Sequence, residues 1–163
     1  MAYLDQIQTK IILSHNLQQQ LTIWRSEHKK IVFTNGCFDL VHRGHIDYLS
    51  KAADLADILV IGLNTDSSVS KLKGNGRPII DEYSRALLLA SFVFVSAVVF
   101  FDEETPYNLI KMIQPDILVK GADYSIDQIV GHDIVIGKGG QVVTLEFLPG
   151  FSTSAIERKI KEN

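Results

Sequence analysis

The sequence predicts an α/β protein with about five parallel strands in one open sheet and helices on both faces. Three observations predict it. Five short apolar runs rich in Val, Ile, Leu and Phe recur along the chain, and continuous runs of this kind mark strands buried on both faces. Between the runs lie segments whose apolar residues recur at helical spacing. The regular alternation of the two is that of βαβ units, which lays successive strands parallel. No repeat, linker or low-complexity tract interrupts the pattern, so residues 1–163 are expected to form a single domain, with 1–29 as an N-terminal helical extension.

Taken in order, Asn16 is placed to cap a first helix that carries Leu17, Leu21 and Trp24 on one face and ends near Glu27-His28-Lys29. It reads as a lid packed on the sheet, with His15 and His28 in solvent. Ile31-Val32-Phe33 is the first strand. The Asn35-Gly36 turn follows, then a helix opened by His42-Arg43-Gly44-His45 and continued by Ile46, Leu49, Ala52, Ala53 and Leu55. Ile58–Leu63 is the second strand, with Asp66 as cap of a helix over Ser67–Leu72. A Gly-rich loop bearing Lys71, Lys73 and Arg77 comes next, and Asp81-Glu-Tyr-Ser-Arg85 opens a helix reaching about Val93. Ala97–Phe101 is the third strand. Thr105 as N-cap and Pro106 at the first helical position start a helix over Tyr107–Ile113 that Pro115 ends. Ile117–Val119 is the fourth strand, followed by Lys120-Gly-Ala-Asp-Tyr124. Short helical pieces over Ser125–Val130 and Asp133–Lys138, with a structural His132 between them, end at Gly139-Gly140. The fifth strand is Gln141–Phe147. Pro149-Gly-Phe-Ser-Thr-Ser154 leads into a last helix, with Ser154 and Glu157 spaced as a capping box.

Composition narrows the function classes. At 163 residues, 46% apolar and 21% charged, the chain can bury a substantial core. A net charge of −3 argues against a general nucleic-acid binder, so anionic ligands must be met by local Lys and Arg. The one cysteine, Cys37, excludes an internal disulfide framework and fits a reducing, cytoplasmic setting. The N-terminus lacks the basic-then-apolar order of a signal peptide. The longest apolar run, around Ser91, is too short for a bilayer, so no membrane partner is expected. A homodimer or larger homo-oligomer is compatible with the sequence and not required by it.

The sharpest chemical signal is Thr34-Asn-Gly-Cys-Phe-Asp39 with His42-Arg43-Gly44-His45. The order is strand, Gly turn, helix start, and the free amides and dipole of a helix start attract phosphate-like anions. His42 and His45 fall on one face of that first turn, placed to touch one ligand. Half of a zinc site is the competing reading. With one Cys, five His and no nearby CxxC or HExxH, further ligands are wanting, and no metal-binding residue is assigned. The candidate loops 34–45, 64–77, 120–124 and 148–154 all follow strands, the rim where open α/β sheets bind ligands. Lys71, Lys73 and Arg77 suit closing over a polyphosphate, although such a cationic run is commonly just solvated. There is no G-x-S-x-G elbow, Walker A loop or G-x-G-x-x-G, and Cys37 lacks a convincing base. What is left is positioning and charge stabilisation, the needs of phosphoryl-type transfer.

The string Gly36-x-Phe38-Asp39-x-x-His42-x-Gly44-His45 resembles the signature of the HxGH nucleotidyltransferase superfamily, which includes the cytidylyltransferases and phosphopantetheine adenylyltransferase. Thr34–Asp39 resembles most closely the branch of heptose 1-phosphate adenylyltransferases. The resemblance runs from about Lys30 to the C-terminus and implies a Rossmann-like nucleotidyltransferase fold. It implies nucleotide contacts from Asn35, Gly36, Cys37, Phe38, His42 and His45, from Gly121 and Asp123, and from Ser152 and Thr153 at the β- and γ-phosphates. Lys71 and Lys73 are implied at substrate and nucleotide phosphates, with Asp39, Asn64, Asp66 and Arg77 as further substrate or phosphate contacts. Arg85 matches a position that is often Arg in the family, and a salt bridge at its helix start is an equal reading.

The activity so implied is in-line transfer of AMP from ATP to a sugar 1-phosphate. D-glycero-β-D-manno-heptose 1-phosphate is the nearest acceptor, giving ADP-heptose and pyrophosphate for lipopolysaccharide core biosynthesis. His42, His45 and Lys73 would be the catalytic residues, and Mg2+ would come with ATP as cofactor. Asp39 would orient a histidine or hold metal through water, and a separate kinase would supply the sugar phosphate. Cytidylyltransferases of the superfamily usually carry Arg-Thr-Glu-Gly-Ile-Ser-Thr before the last helix. Phe147-Leu-Pro-Gly-Phe-Ser-Thr153 has no Arg, which disfavours CTP, while Phe151 and Ser154 depart from the heptose branch. The alternatives are a cytidylyltransferase acting on glycerol 3-phosphate or another alcohol phosphate, and a nucleotide-binding module without catalysis.

Overall fold

The structure is a computed structural model that describes residues 2–162. Five strands, β1 (Ile31–Gly36), β2 (Ile58–Asn64), β3 (Ala97–Phe101), β4 (Ile117–Gly121) and β5 (Gln141–Leu145), form one parallel sheet in the order β3-β2-β1-β4-β5. The β1–β2 register runs from Ile31↔Ile58 to Gly36↔Leu63. After β3 the chain crosses to the other side of β1, so the direction of winding reverses between β1 and β4. A crevice opens at such a reversal, beyond the carboxyl ends of the strands.

Alternation along the strands feeds two cores. Ile31, Phe33, Val60 and Leu118 pack with Leu17, Leu21 and Trp24 of α2 (Ser14–Ser26), Ile110 and Ile113 of α6 (Tyr107–Ile113), and Val135 of α7 (His132–Gly137). Val32, Leu59, Ile61 and Val119 pack with Tyr48, Leu49 and Ala52 of α3 (Arg43–Ala53) and Ala86 and Leu89 of α5 (Glu82–Ala90). Each such Leu or Ile contributes about 1.5–3 kcal/mol when fully buried, so the strand order is fixed from both faces.

The structure also corrects the sequence reading in places. A short α1 (Tyr3–Thr9) precedes α2, and α2 begins at Ser14, which puts Asn16 in its first turn instead of at the cap. Between them Ile11 bridges Val98, and the Ile12 amide donates to the Val98 carbonyl at 2.9 Å. This cross-strand pairing covers the open edge of β3. Thr65, not Asp66, caps α4 (Asp66–Lys73), because its hydroxyl accepts from the Ser68 amide while Arg85 holds Asp66. Lys71 and Lys73 therefore stand on the last turn of a helix, and the loop begins only at Gly74. Helix α5 stops at Ala90, leaving Val93 94% exposed. Helix α3 stops before Leu55 and β5 stops before Phe147; α6 spans Tyr107–Ile113 as expected, with Pro106 in place of Thr105 as its N-cap. Ser152 caps α8 (Thr153–Lys161), accepting from the Ala155 amide at 3.1 Å, where Ser154 was expected. His132 Nδ1 lies 2.9 Å from the Ile129 carbonyl, and His15 and His28 are exposed. Among the described residues no helix is long and apolar enough to cross a membrane.

Candidate active site

The β1–α3 turn builds the centre of the site. His42 is the N-cap of α3, and its Nδ1 accepts from the Gly44 amide at 3.1 Å. His45 Nδ1 accepts in turn from the His42 amide at 3.4 Å. The two rings stack with centroids 3.9 Å apart. Gly44 lets the His42 ring and Phe151 pack close, since a Cβ would sit 3.0 Å from the His42 ring and 3.2 Å from Phe151 Cβ and would push them back by a few tenths of an ångström. Phe38, in the left-handed region at φ 46°, turns its ring edge to His45 at 5.3 Å. A bulky residue in that conformation is strained and is held by its surroundings. Burial, the neighbouring His42 and the Lys73 cation bring His45 down to about 4, and burial lowers His42 as well. A neutral ring whose Nδ1 accepts a hydrogen bond carries its proton on Nε2. Both histidines thus present a neutral Nε2–H with no partner among the described residues, and of the two it is His45 that lines the cleft.

His45 lines a cleft of about 390 Å³ at the β1/β4 reversal. Asn35, Gly36, Cys37, Phe38 and Asp39 form its β1 side, and Asn64 and Lys73 its β2–α4 side. Gly121 at the end of β4, Asp123 beyond it and Thr153 at the start of α8 close it. Burial raises the Cys37 thiol, which makes it a poor nucleophile at neutral pH. Its Sγ lies 3.8 Å from Asn64 Oδ1. Gly121 lets the Phe147 ring lie against the backbone, since a Cβ there would be 2.2 Å from that ring.

The remaining expected contacts are spent on the protein itself. Arg77 is paired with Asp39 and with Glu157 of α8. Asp39 also accepts from the amides of Ile79 and Ile80, at 2.8 and 2.9 Å. Burial pulls the Asp39 carboxyl upward, but the Ile80 and Ile79 amides and the Arg77 guanidinium outweigh it and keep the group below the usual carboxylate range. Asp39 therefore neither orients a histidine nor stands free for metal; it pins the 77–80 loop. Arg85 is fully buried, and every arm is used: Nη2 to Asp66 Oδ1 at 2.7 Å, Nη1 to the Cys37 carbonyl at 2.6 Å, Nε to the Ile80 carbonyl at 2.9 Å. Of its two readings the salt bridge is the one seen. Lys71 pairs with Asp102 at 3.6 Å on the surface and is outside the cleft, as is Ser152, which caps its helix. Glu157 answers Arg77, so it takes no part in a capping box.

Of the other cleft residues, Tyr48 and Phe147 lie outside the four candidate loops, and Lys120 and Tyr124 lie inside the 120–124 loop, where neither was assigned a contact. Tyr48 reads as core, and its hydroxyl is 2.9 Å from Thr34 Oγ1 inside the protein, with burial raising it to about 12. Lys120 opens the 120–124 loop. Burial takes its ammonium down to about 8, against the opposing pull of Asp123 and Cys37. No side chain among the described residues forms a hydrogen bond or ion pair with it. Its signal was the lysine immediately before Gly121, at the carboxyl end of a buried strand. Among the described residues no group of three or more His, Cys, Asp or Glu could hold a metal ion alone. Asp123 is a cleft carboxylate with no ion-pair partner among the described residues, which suits Mg2+ carried in by phosphates, an ion that commonly takes only one or two protein carboxylates.

The family model described as cytidylyltransferase-like matches residues 33–159. The bifunctional protein HldE of Campylobacter jejuni subsp. doylei is 55% identical over 145 residues, covering 89% of this chain and 31% of that protein. The bifunctional protein HldE of Nitrobacter hamburgensis is 51% identical over 144 residues, covering 88% and 29%. The chain thus spans about a third of the length of the curated relatives it matches. Among solved structures, a lipopolysaccharide core biosynthesis protein from Thermoplasma volcanium superposes with a TM-score of 0.58 at 29% identity, over 74% of this chain and 97% of that one. Pantoate-beta-alanine ligase from Francisella tularensis, at 15% identity, superposes with a TM-score of 0.55 over 94% and 78%, and shares the fold.

Proposed function

The chain belongs to the cytidylyltransferase-like family, and on that premise we propose that it transfers AMP from ATP to a sugar 1-phosphate. The acceptor is D-glycero-β-D-manno-heptose 1-phosphate, and ADP-heptose serves lipopolysaccharide core biosynthesis. The observation that carries the reading is the His42–His45 pair at the start of α3, two neutral Nε2–H donors without partners among the described residues. The relatives named bifunctional protein HldE and the lipopolysaccharide core biosynthesis neighbour support the sugar branch. The absence of Arg from the Phe147–Thr153 segment supports ATP over CTP.

The chemistry follows from what the side chains can do. An oxygen of the sugar phosphate attacks the α-phosphorus of ATP. That P–O bond forms as the bond to the β-phosphate bridging oxygen breaks, and pyrophosphate leaves. His42 and His45 donate to phosphate oxygens as negative charge moves toward the leaving group. A neutral donor serves here without a proton having to be moved. Lys73 holds the phosphates in line, and the amides at the start of α8, beside Thr153, receive the β- and γ-phosphates. Mg2+ bound with ATP, with Asp123 as its protein carboxylate, would neutralise triphosphate charge. The protein is expected to work in solution in the cytoplasm.

The test is pyrophosphate release with Mg2+, pairing ATP or CTP with the heptose 1-phosphate or with glycerol 3-phosphate. Turnover with ATP and the heptose phosphate is expected. Turnover with CTP and glycerol 3-phosphate instead would keep the mechanism and replace the substrates. Nucleotide binding with silence in all four pairs would mean a module that binds without catalysis.

A further inference from the structure

Helix α8 brings Thr153 and its first amides to the cleft, yet none of its nine residues is buried. A short helix draws most of its stability from packing an apolar face, and this one packs little. Its outer side faces the 75–79 loop across a cavity of about 330 Å³ lined by Gly76, Arg77, Ile79, Glu157 and Ile160. Ile79 and Ile160 remain 56% and 68% exposed at that seam, so apolar contact does not close it. Something other than burial must place the start of α8 beside the phosphates.

Charged side chains take that part. Arg43 lies over the Phe151 ring, 5.4 Å from its centroid, just before the helix begins. One turn into the helix, Glu157 presents a buried Oε1 to Arg77 Nη2. Arg77 Nη1 is paired with Asp39, which is itself held by the Ile79 and Ile80 amides. Asp39 stands three residues before His42. One guanidinium thus joins the helix that closes the cleft to the turn that carries both histidines. Its planar fork fixes direction as well as distance, which a lysine ammonium would not. The Arg77 side chain is 16% exposed and that of Glu157 26%, so salt and water screen the pair only in part.

Resting on the reading above, which puts the β- and γ-phosphates at the start of α8, we propose that Arg77 and Glu157 are positioning residues for the triphosphate. Their ion pair, anchored on Asp39, sets the spacing between the α8 amides and the His42–His45 turn. Neither side chain touches the nucleotide; both act through the helix that does. Without Glu157 the start of α8 is free to drift from the phosphates, and ATP must hold it in place at a cost in affinity. The acceptor, which meets the α-phosphorus at the far side of the reacting bond, loses nothing directly.

Arg77→Ala would strip Asp39 as well, so the test is made at Glu157. The experiment is steady-state pyrophosphate release by the full chain and by its Glu157→Ala and Glu157→Gln variants, beside their thermal midpoints. ATP and D-glycero-β-D-manno-heptose 1-phosphate are varied in turn with Mg2+ in excess. Glu157→Ala should raise the KM for ATP about tenfold, with kcat and the KM for the sugar phosphate within about twofold of wild type. Glu157→Gln still accepts one bond from Arg77 and should fall between. An unchanged KM for ATP in Glu157→Ala overturns the proposal. Equal rises in both KM values with a lowered midpoint overturn it too, by showing a general loosening of the fold. A lower KM for ATP also overturns it, since the released Arg77 arm would then be a direct phosphate ligand. If the wild type binds α,β-methylene-ATP and turns nothing over, the functional reading falls alone. The ion pair is then judged on the affinity for that analogue, which Glu157→Ala should lower by the same factor.

Discussion

The β1–α3 turn and the segment from Asp66 to Arg85 carry comparable densities of polar and charged side chains, and both read as ligand-binding from sequence. They spend those groups differently. In the β1–α3 turn the backbone saturates only the inward nitrogens of His42 and His45, leaving each Nε2–H for a ligand. In the 66–85 segment Arg77 and Arg85 meet Asp39, Glu157 and Asp66, and three backbone amides or carbonyls of the 79–80 turn meet Asp39 and Arg85. The first region is an unfinished set of bonds and the second a finished one. A charged residue near a cleft is thus diagnostic of chemistry only when its partners have been counted. The second region also serves the first: Arg85 grips the Cys37 carbonyl, and Arg77 ties α8, none of whose residues is buried, to the motif loop.

The largest effect should come from breaking the finished region. Arg85→Ala removes a fully buried side chain and leaves the Cys37 and Ile80 carbonyls without their donor, while the Asp66 carboxylate, 41% exposed, can turn to water; it should cost about 2–4 kcal/mol in urea unfolding. A small loss of stability together with lost nucleotide binding would move Arg85 into the unfinished class. Lys120→Met should act in the opposite sense on stability. Its folded value near 8 lies below its ordinary 10.5, so at pH 7 the folded state holds the charge at a cost of up to about 3 kcal/mol. The variant should therefore be more stable than wild type below pH 8. The difference should shrink as pH rises from 8 and vanish above 10.5, while pyrophosphate release falls. Unfolding at pH 7 and pH 10 checks it; equal stability at both would show that Lys120 is well solvated. The same linkage makes His45, lowered to about 4, a source of stability that is lost as pH falls from 6.5 toward 4. Turnover should show no His45 step near pH 6.5, and a pH–rate profile between pH 5 and 8 reads this. The smallest effect belongs to Lys71→Ala, which removes only an exposed pair with Asp102 and should leave turnover within about twofold of wild type. A larger loss would bring Lys71 back to the phosphates.

Strands β1 to β4 were legible as short, mostly buried apolar runs and the half-buried β5 by its Val and Leu after the Gly139-Gly140 break, and the His42–His45 turn because its chemistry is local. What escaped has physical reasons. Helix α1 and the Ile11–Val98 bridge depend on tertiary contact with the β3 edge, which no local pattern announces. Caps slipped by a residue or more at Thr65, Pro106 and Ser152, because neighbouring residues compete for the role and distant partners decide it. Arg77 finds Asp39 and Glu157 from 38 and 80 residues away along the chain, a distance over which spacing carries no signal. Lys120 stood in a candidate loop without a role of its own, and only the sheet reveals that it borders two cavities.

The central claim is that the His42–His45 turn is kept for chemistry while the 66–85 segment is kept for structure. The most direct test is pyrophosphate release by His45→Ala with ATP, Mg2+ and the heptose 1-phosphate, beside its thermal midpoint. Loss of one such donor should lower turnover by about 10²–10³, with the midpoint close to that of the wild type. Turnover at the wild-type rate in a well-folded variant would contradict the account.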